Sequence, residues 1–342
     1  MSEKFNVYVS RDDRVEHRNY GMGLESLVED PEVELTFMPK REYHTIRTED
    51  LRGADAVILL KDQITAETLD GLDDLRVVSR FGAGFDGVDI GACTDQGIVV
   101  TNAPQGVRHS VAQSTVGMLI TCASNMRRYD NIVREQGFEG RLENMGIELF
   151  GKQLGTIGLG GIGGRVLELL EPFEMDVQTY DPYLSEERAD ELGVTKVDLD
   201  ELLETSDFIS LHCPLTDETA GMLGSDEFRK MKSTAYFVNT TRGGIYPDEE
   251  LAEALKAGEI AGAAIDVFEN EPNVEGNPLL ENEDCLVMPH AAGINKDGLA
   301  RTGRIAAGCV TAVKDGEIPR NILNPAVYDV DVPDERLSPS YR

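Results

Sequence analysis

The chain has 342 residues, 41% of them hydrophobic, which is enough for two domains with real cores. Its 63 Asp and Glu against 32 Lys and Arg leave a net charge of −31, which argues against nucleic acid or an anionic membrane as partner, since both demand a basic footprint. No run of about 18 apolar residues and no basic-then-apolar leader occurs, so a cytoplasmic protein without a membrane span or signal peptide is expected.

The cysteines at 93, 122, 213, 285 and 309 are odd in number and mostly set in apolar runs. That pattern predicts free thiols in a reducing compartment, with neither a disulfide frame nor a metal site. Of the cations, 22 are Arg and 10 are Lys. The acidic excess reads as a halophilic surface, adapted to concentrated salt that screens self-repulsion.

In chain order, KFNVYVS, EVELTFMP, ADAVILLK, LRVVSRF and GIVVTNA read as buried strands. Short helices such as TAETLDGLD lie between them, which predicts a parallel sheet covered on both faces. Pro104 and Gly106 then punctuate the chain. From Ser110, apolar positions at Val111, Thr115, Met118, Leu119 and Cys122 predict a long helix leaving the first domain. A second α/β run begins near Phe150. Its strands are LGTIGLG, DVQTYD, DFISLHC, TAYFVNT, AGAAIDV and DCLVMPH, with helices at RVLELLEPF, SEERADELG, DLDELLET and DEELAEALKAG. Six strands and their helices predict a doubly wound sheet. A last helix is expected from about Lys296 to Asp315, followed after Tyr328 by a mobile tail.

The turn after LGTI holds Gly158-x-Gly160-x-x-Gly163 between a strand pattern and a helix pattern, the context a dinucleotide fingerprint needs. Gly158 permits the tight turn, Gly160 lets backbone approach a pyrophosphate, and Gly163 lets helix and strand pack closely. The helix N-terminus offers free N–H groups to the phosphates. Asp181 ends the next strand, 18 residues after Gly163, with no Arg or Lys directly after it. A carboxylate there accepts from a ribose hydroxyl and repels a 2′-phosphate, so NAD is expected over NADP.

Chemistry in an open α/β sheet sits at the carboxyl ends of the strands. Three predicted strand ends carry suitable groups: Thr241-Arg242-Gly243-Gly244, then Phe268-Glu269-Asn270-Glu271-Pro272, then His290. A histidine titrates near neutral pH and suits proton donation to a carbonyl, and an arginine can hold and polarise the substrate. His17 and His44 read as solvated loop residues, His212 as strand-end packing, and His109 as a capping or packing residue, with a substrate contact as the alternative.

VNTTRGG, DVFENEP and MPHAAG, in this order and with FGAGFDGVDI and the fingerprint, resemble the D-isomer-specific 2-hydroxyacid dehydrogenase family over roughly residues 5 to 325. The resemblance implies a two-domain α/β protein: a flavodoxin-like substrate domain, 1–103 plus 295–342, and a Rossmann NAD-binding domain, 104–294. It implies that Arg242 holds the substrate, that His290 is the acid and base, and that Glu271 fixes its tautomer and stabilises its charged form. The amides of Ala83 and Gly84 would bind the substrate carboxylate. Further cofactor contacts would map onto Ile162, Asp181, Cys213, Pro214, Thr241, Arg242, Asp266, His290 and Gly293. The implied activity interconverts a small 2-keto acid and its D-2-hydroxy acid, in a homodimer. Leu59-Leu60-Lys61-Asp62 stands where relatives acting on phosphorylated substrates often place an Arg-Ser pair. That leaves 3-phosphoglycerate as an alternative substrate only. Glu271 stands where formate-oxidising relatives carry Gln, which argues against formate. An NAD(H)-sensing, partner-binding protein on the same fold is the rival reading.

Overall fold

A computed structural model describes residues 4–10, 21–39 and 45–339. His17 and His44 lie outside them. The chain divides into two compact units, one formed by 1–108 with 294–342, the other by 109–293.

The first unit holds a five-stranded parallel sheet in the order β2-β1-β3-β4-β5. Its strands are Phe5–Val9 (β1), Val33–Phe37 (β2), Ala56–Leu59 (β3), Val77–Arg80 (β4) and Val99–Thr101 (β5). Every residue of β3 is buried, as expected for a central strand covered on both faces. One face packs on the helix Lys296–Lys314, whose Leu299, Ala306, Ala307 and Val310 join Val7, Ile58 and Val77 in a core. Asn295 starts that helix by accepting from the Gly298 amide at 2.8 Å. The loop after β4 carries Ala83 and Gly84. Its carbonyls are held from the exit of β5: the Ala103 amide donates to Gly82 (2.7 Å) and Asn102 Nδ2 to Ala83 (2.8 Å).

The tail departs from expectation. The Ile322 amide donates to the Arg336 carbonyl (2.9 Å), the Ser338 amide donates to the Ile322 carbonyl (2.8 Å), and the buried Ser338 hydroxyl donates to Asn102 Oδ1 at 2.6 Å. Polar composition predicted mobility, but a buried serine with a partner anchors this segment.

The second unit holds a seven-stranded parallel sheet in the order β12-β11-β10-β9-β6-β7-β8. The strands are Gln153–Ile157 (β6), Asp176–Tyr180 (β7), Thr195–Lys196 (β8), Phe208–Leu211 (β9), Tyr236–Asn239 (β10), Gly262–Ile265 (β11) and Cys285–Val287 (β12). Six strands were expected; β8, two residues paired to β7, is the seventh. Because β6 pairs with both β7 and β9, the connection reverses direction at β6. A crevice opens at such a switch point, outside the carboxyl ends of the strands. The helix Pro104–Ala123 starts six residues earlier than its apolar period, since a proline is well suited to the first turn, where its missing N–H costs nothing.

Candidate active site

Strand β6 runs directly into the glycine turn. Gly158 adopts φ +81°, and a Cβ there would lie 2.8 Å from the Cys213 amide nitrogen, so glycine is required twice over. Gly160 is exposed with open space where a side chain would project. Gly163 is buried against Leu159 and His212, where a Cβ would sit 3.2 Å from both side chains. The helix Gly161–Leu170 opens here with Ile162 half-buried in its first turn. Asp181, at the end of β7, accepts from the Leu159 amide through Oδ2 (2.8 Å) and from the Tyr183 amide through Oδ1 (2.9 Å). The carboxylate is thus tied to the glycine turn itself. A left-handed turn, an unobstructed helix N-terminus and an adjacent carboxylate fit a dinucleotide. The half-buried Cys213 and the exposed Pro214 follow β9 on the other side of β6. Burial pushes the Cys213 thiol up to about 11, so it stays protonated at neutral pH.

The next three strands place Arg242, Glu271 and His290 at the same sheet edge. Asn239, fully buried at the end of β10, organises the first turn. Its Oδ1 accepts from the Thr241 amide (2.8 Å) and hydroxyl (2.9 Å), and its Nδ2 donates to the Arg242 carbonyl (2.8 Å). Gly243 presses on the next turn: a Cβ there would be 2.0 Å from the Phe268 carbonyl oxygen. Arg242 is half-buried and donates to the Thr241 carbonyl at 2.7 Å.

After β11, Glu271 accepts from the Phe268 amide through Oε1 at 3.0 Å. Its Oε2 lies 2.6 Å from His290 Nδ1. A carboxylate only accepts, so Nδ1 carries the proton and Nε2 is left to exchange one with a substrate. The His290 side chain is 36% exposed. Its backbone sits in the left-handed region, φ +53°, an uncommon state for a histidine that the surroundings must impose. Asp266 imposes it. Its carbonyl accepts from the His290 amide (2.7 Å), and its carboxylate accepts from Ala291 (2.6 Å) and Ala292 (2.9 Å). The Ala292 carbonyl in turn accepts from Ser114 Oγ at 3.0 Å, and the half-buried Gly293 follows. Asp266 is 1% exposed with both oxygens on backbone amides, so in this structure it holds the histidine turn. Burial pushes its carboxyl pKa up, against the pull of those amides.

The sequence did not single out Asn239, and for Asp266 it suggested a cofactor contact but not the hold on the histidine turn, a role compatible with that contact. A buried polar residue at a strand end was the available signal. The Nδ1 of His212 is sealed from solvent, although the residue as a whole is only part-buried. Burial lowers its pKa to about 4, and its Nε2 meets Ser210 Oγ at 3.0 Å.

A family profile described as D-isomer specific 2-hydroxyacid dehydrogenase, NAD binding domain, matches residues 116–292. The chain is 40% identical over 268 residues to a D-3-phosphoglycerate dehydrogenase of Archaeoglobus fulgidus, covering 78% of this chain and 51% of that protein. It is 39% identical over 289 residues to a glyoxylate reductase of Korarchaeum cryptofilum, covering 83% of this chain and 87% of that one. Among solved structures, a D-lactate dehydrogenase from Aquifex aeolicus, complexed with NAD and lactic acid, superposes with a TM-score of 0.79 at 27% identity, covering 92% and 96% of the two chains. The chain belongs to the D-isomer-specific 2-hydroxyacid dehydrogenase family, whose members are NAD-dependent oxidoreductases, and the matched NAD-binding-domain profile falls within its second unit. It spans about half the length of the phosphoglycerate dehydrogenase and most of the glyoxylate reductase.

Proposed function

We propose that this chain is an NAD-dependent reductase of small 2-keto acids, glyoxylate and hydroxypyruvate first among them, working reversibly on the D-2-hydroxy acid. The observation that carries the reading is the 2.6 Å Glu271–His290 pair on the turn next to that of Arg242. Bound NAD(H) supplies or takes up the hydride. His290 delivers a proton from Nε2 to the carbonyl oxygen, while Glu271 keeps Nδ1 protonated and stabilises the imidazolium. Arg242 grips the carboxylate and polarises the carbonyl with its planar fork of donors.

A second substrate, 3-phosphoglycerate, draws support from the name of the 40% identical relative. Against it, Leu59 and Leu60 are fully buried and Asp62 nearly so, which leaves Lys61 as the exposed side chain of that stretch. The test is NADH oxidation in high salt against glyoxylate, hydroxypyruvate, pyruvate and, in the oxidative direction, 3-phosphoglycerate. NADPH and His290→Ala serve as controls. Fast turnover of one keto acid, lost in His290→Ala, supports the reading. Tight NADH binding with no turnover of any acid favours the sensing role.

The same reading takes the protein as a cytoplasmic homodimer with a salt-adapted surface. The five free cysteines support a reducing compartment, and no described helix is long and apolar enough to cross a membrane. Exposed Phe138, Leu142 and Met145, beside Tyr129 and Val133, offer an apolar patch that a second copy would cover. Sedimentation in molar salt tests the dimer, and thermal unfolding from low to molar salt tests the surface.

A further inference from the structure

Tyr183 is 79% exposed, so apolar burial does not hold its ring in place. Its hydroxyl nevertheless donates to Glu218 Oε2 at 2.7 Å, a bond between residues 35 apart in sequence. Tyr183 belongs to the loop after β7, and its amide donates to Asp181. Glu218 belongs to the loop after β9, the one that carries Cys213 and Pro214. That loop is itself closed, because Thr219 Oγ1 donates to the Pro214 carbonyl at 2.7 Å and accepts from the Thr216 amide at 2.8 Å. Strands β7 and β9 flank β6 on its two sides. The Tyr183–Glu218 bond therefore joins the loops on either side of the strand that leads into the Gly158 turn. Glu218 and Asp181 are both near enough to the phenol to raise its pKa, Glu218 most, so the hydroxyl remains a donor at neutral pH.

We propose that Tyr183 and Glu218 form a clasp over the adenosine end of the cofactor site, and that the Glu218 carboxylate joins Asp181 in rejecting a 2′-phosphate. The proposal rests on the NAD-binding reading of that turn. The bridge limits how far the two loops can part, which slows cofactor release. Glu218 adds a second negative charge on the side where NADP would bring its extra phosphate.

Binding of NADH and NADPH to the full chain, followed by dihydronicotinamide fluorescence at equilibrium and in stopped-flow release, tests both parts. Tyr183→Phe keeps the ring and deletes the bridge; NADH release should speed roughly 3- to 10-fold, the range of one hydrogen bond. Glu218→Gln keeps an acceptor for Tyr183 and deletes the charge. NADH affinity should stay within about 2-fold while NADPH binding tightens roughly 3- to 10-fold, the range of a lost like-charge contact. Both positions are exposed, so unchanged Tm values will separate these effects from misfolding. The proposal stands only if both changes occur; wild-type behaviour by either variant overturns it. A wild-type chain that binds NADPH as well as NADH overturns it too. No NADH binding by the wild type would overturn the cofactor reading, and the clasp with it.

Discussion

Two turns at one sheet edge are built in opposite ways. The turn after β6 is made by leaving side chains out: Gly158 at φ +81°, open space at Gly160, and Gly163 against its neighbours. The turn after β12 is made by putting side chains in. His290 is bent to φ +53° and held there by Asp266 from the adjacent strand, by Glu271 beyond it, and by Ser114 through Ala292. A phosphate site needs backbone N–H groups and room, so its design stays local in the chain. A proton-transfer site needs one ring in one orientation, so it draws on polar groups from several elements.

The contrast can be broken from either side. Removing the anchor of the histidine turn should do most. Asp266→Ala leaves two amides without acceptors and should lower stability by about 2–6 kcal/mol, at about 1–3 per orphaned group. Turnover should fall at least about 100-fold as His290 relaxes from its strained backbone, the scale of losing an oriented acid–base group. Asp266→Asn, with one acceptor oxygen left, should lie between, as denaturation and steady-state kinetics will show. On the other side, Gly158→Ala combines a left-handed alanine with the Cys213 contact. It should cost about 1–2 kcal/mol for the conformation alone and weaken NADH binding, measured by titration, about 10-fold. If Arg242 holds the substrate as proposed, Asn239→Ala should loosen its turn and raise KM more than it lowers kcat.

The smallest effect concerns pH. In the unfolded chain His212 takes a proton below about 6.5, whereas in the folded protein burial delays this to about 4. The unfolded state therefore binds more protons between those values, and stability falls as pH drops through that window. Thermal unfolding of His212→Gln should lose roughly 1.5 kcal/mol less than the wild type between pH 6.5 and 5. Parallel curves would mean that the ring is solvated.

What was legible in the sequence follows the same division. Buried parallel strands announce themselves as apolar runs, and the glycine turn with Asp181 is a local pattern. Arg242, Glu271 and His290 were visible because each lies in the turn that follows a readable strand. Strand β8 was not, since two residues carry no period. Ser338 reads as a tail residue until Asn102, 236 positions away, gives its hydroxyl a partner. The hold of Asp266 on the histidine turn was hidden because the amides it accepts from come from residues 25 and 26 positions on. Bonds at such separations leave no trace in local spacing, and that is where the support of the histidine turn resides.

The most direct test of the account is a paired measurement on His290→Ala: single-turnover glyoxylate reduction and NADH affinity in the same buffer. The account predicts that reduction falls by about 10²–10⁴-fold, the usual worth of a positioned acid–base group, while NADH still binds within a few-fold of wild type. Wild-type turnover by the variant would contradict it.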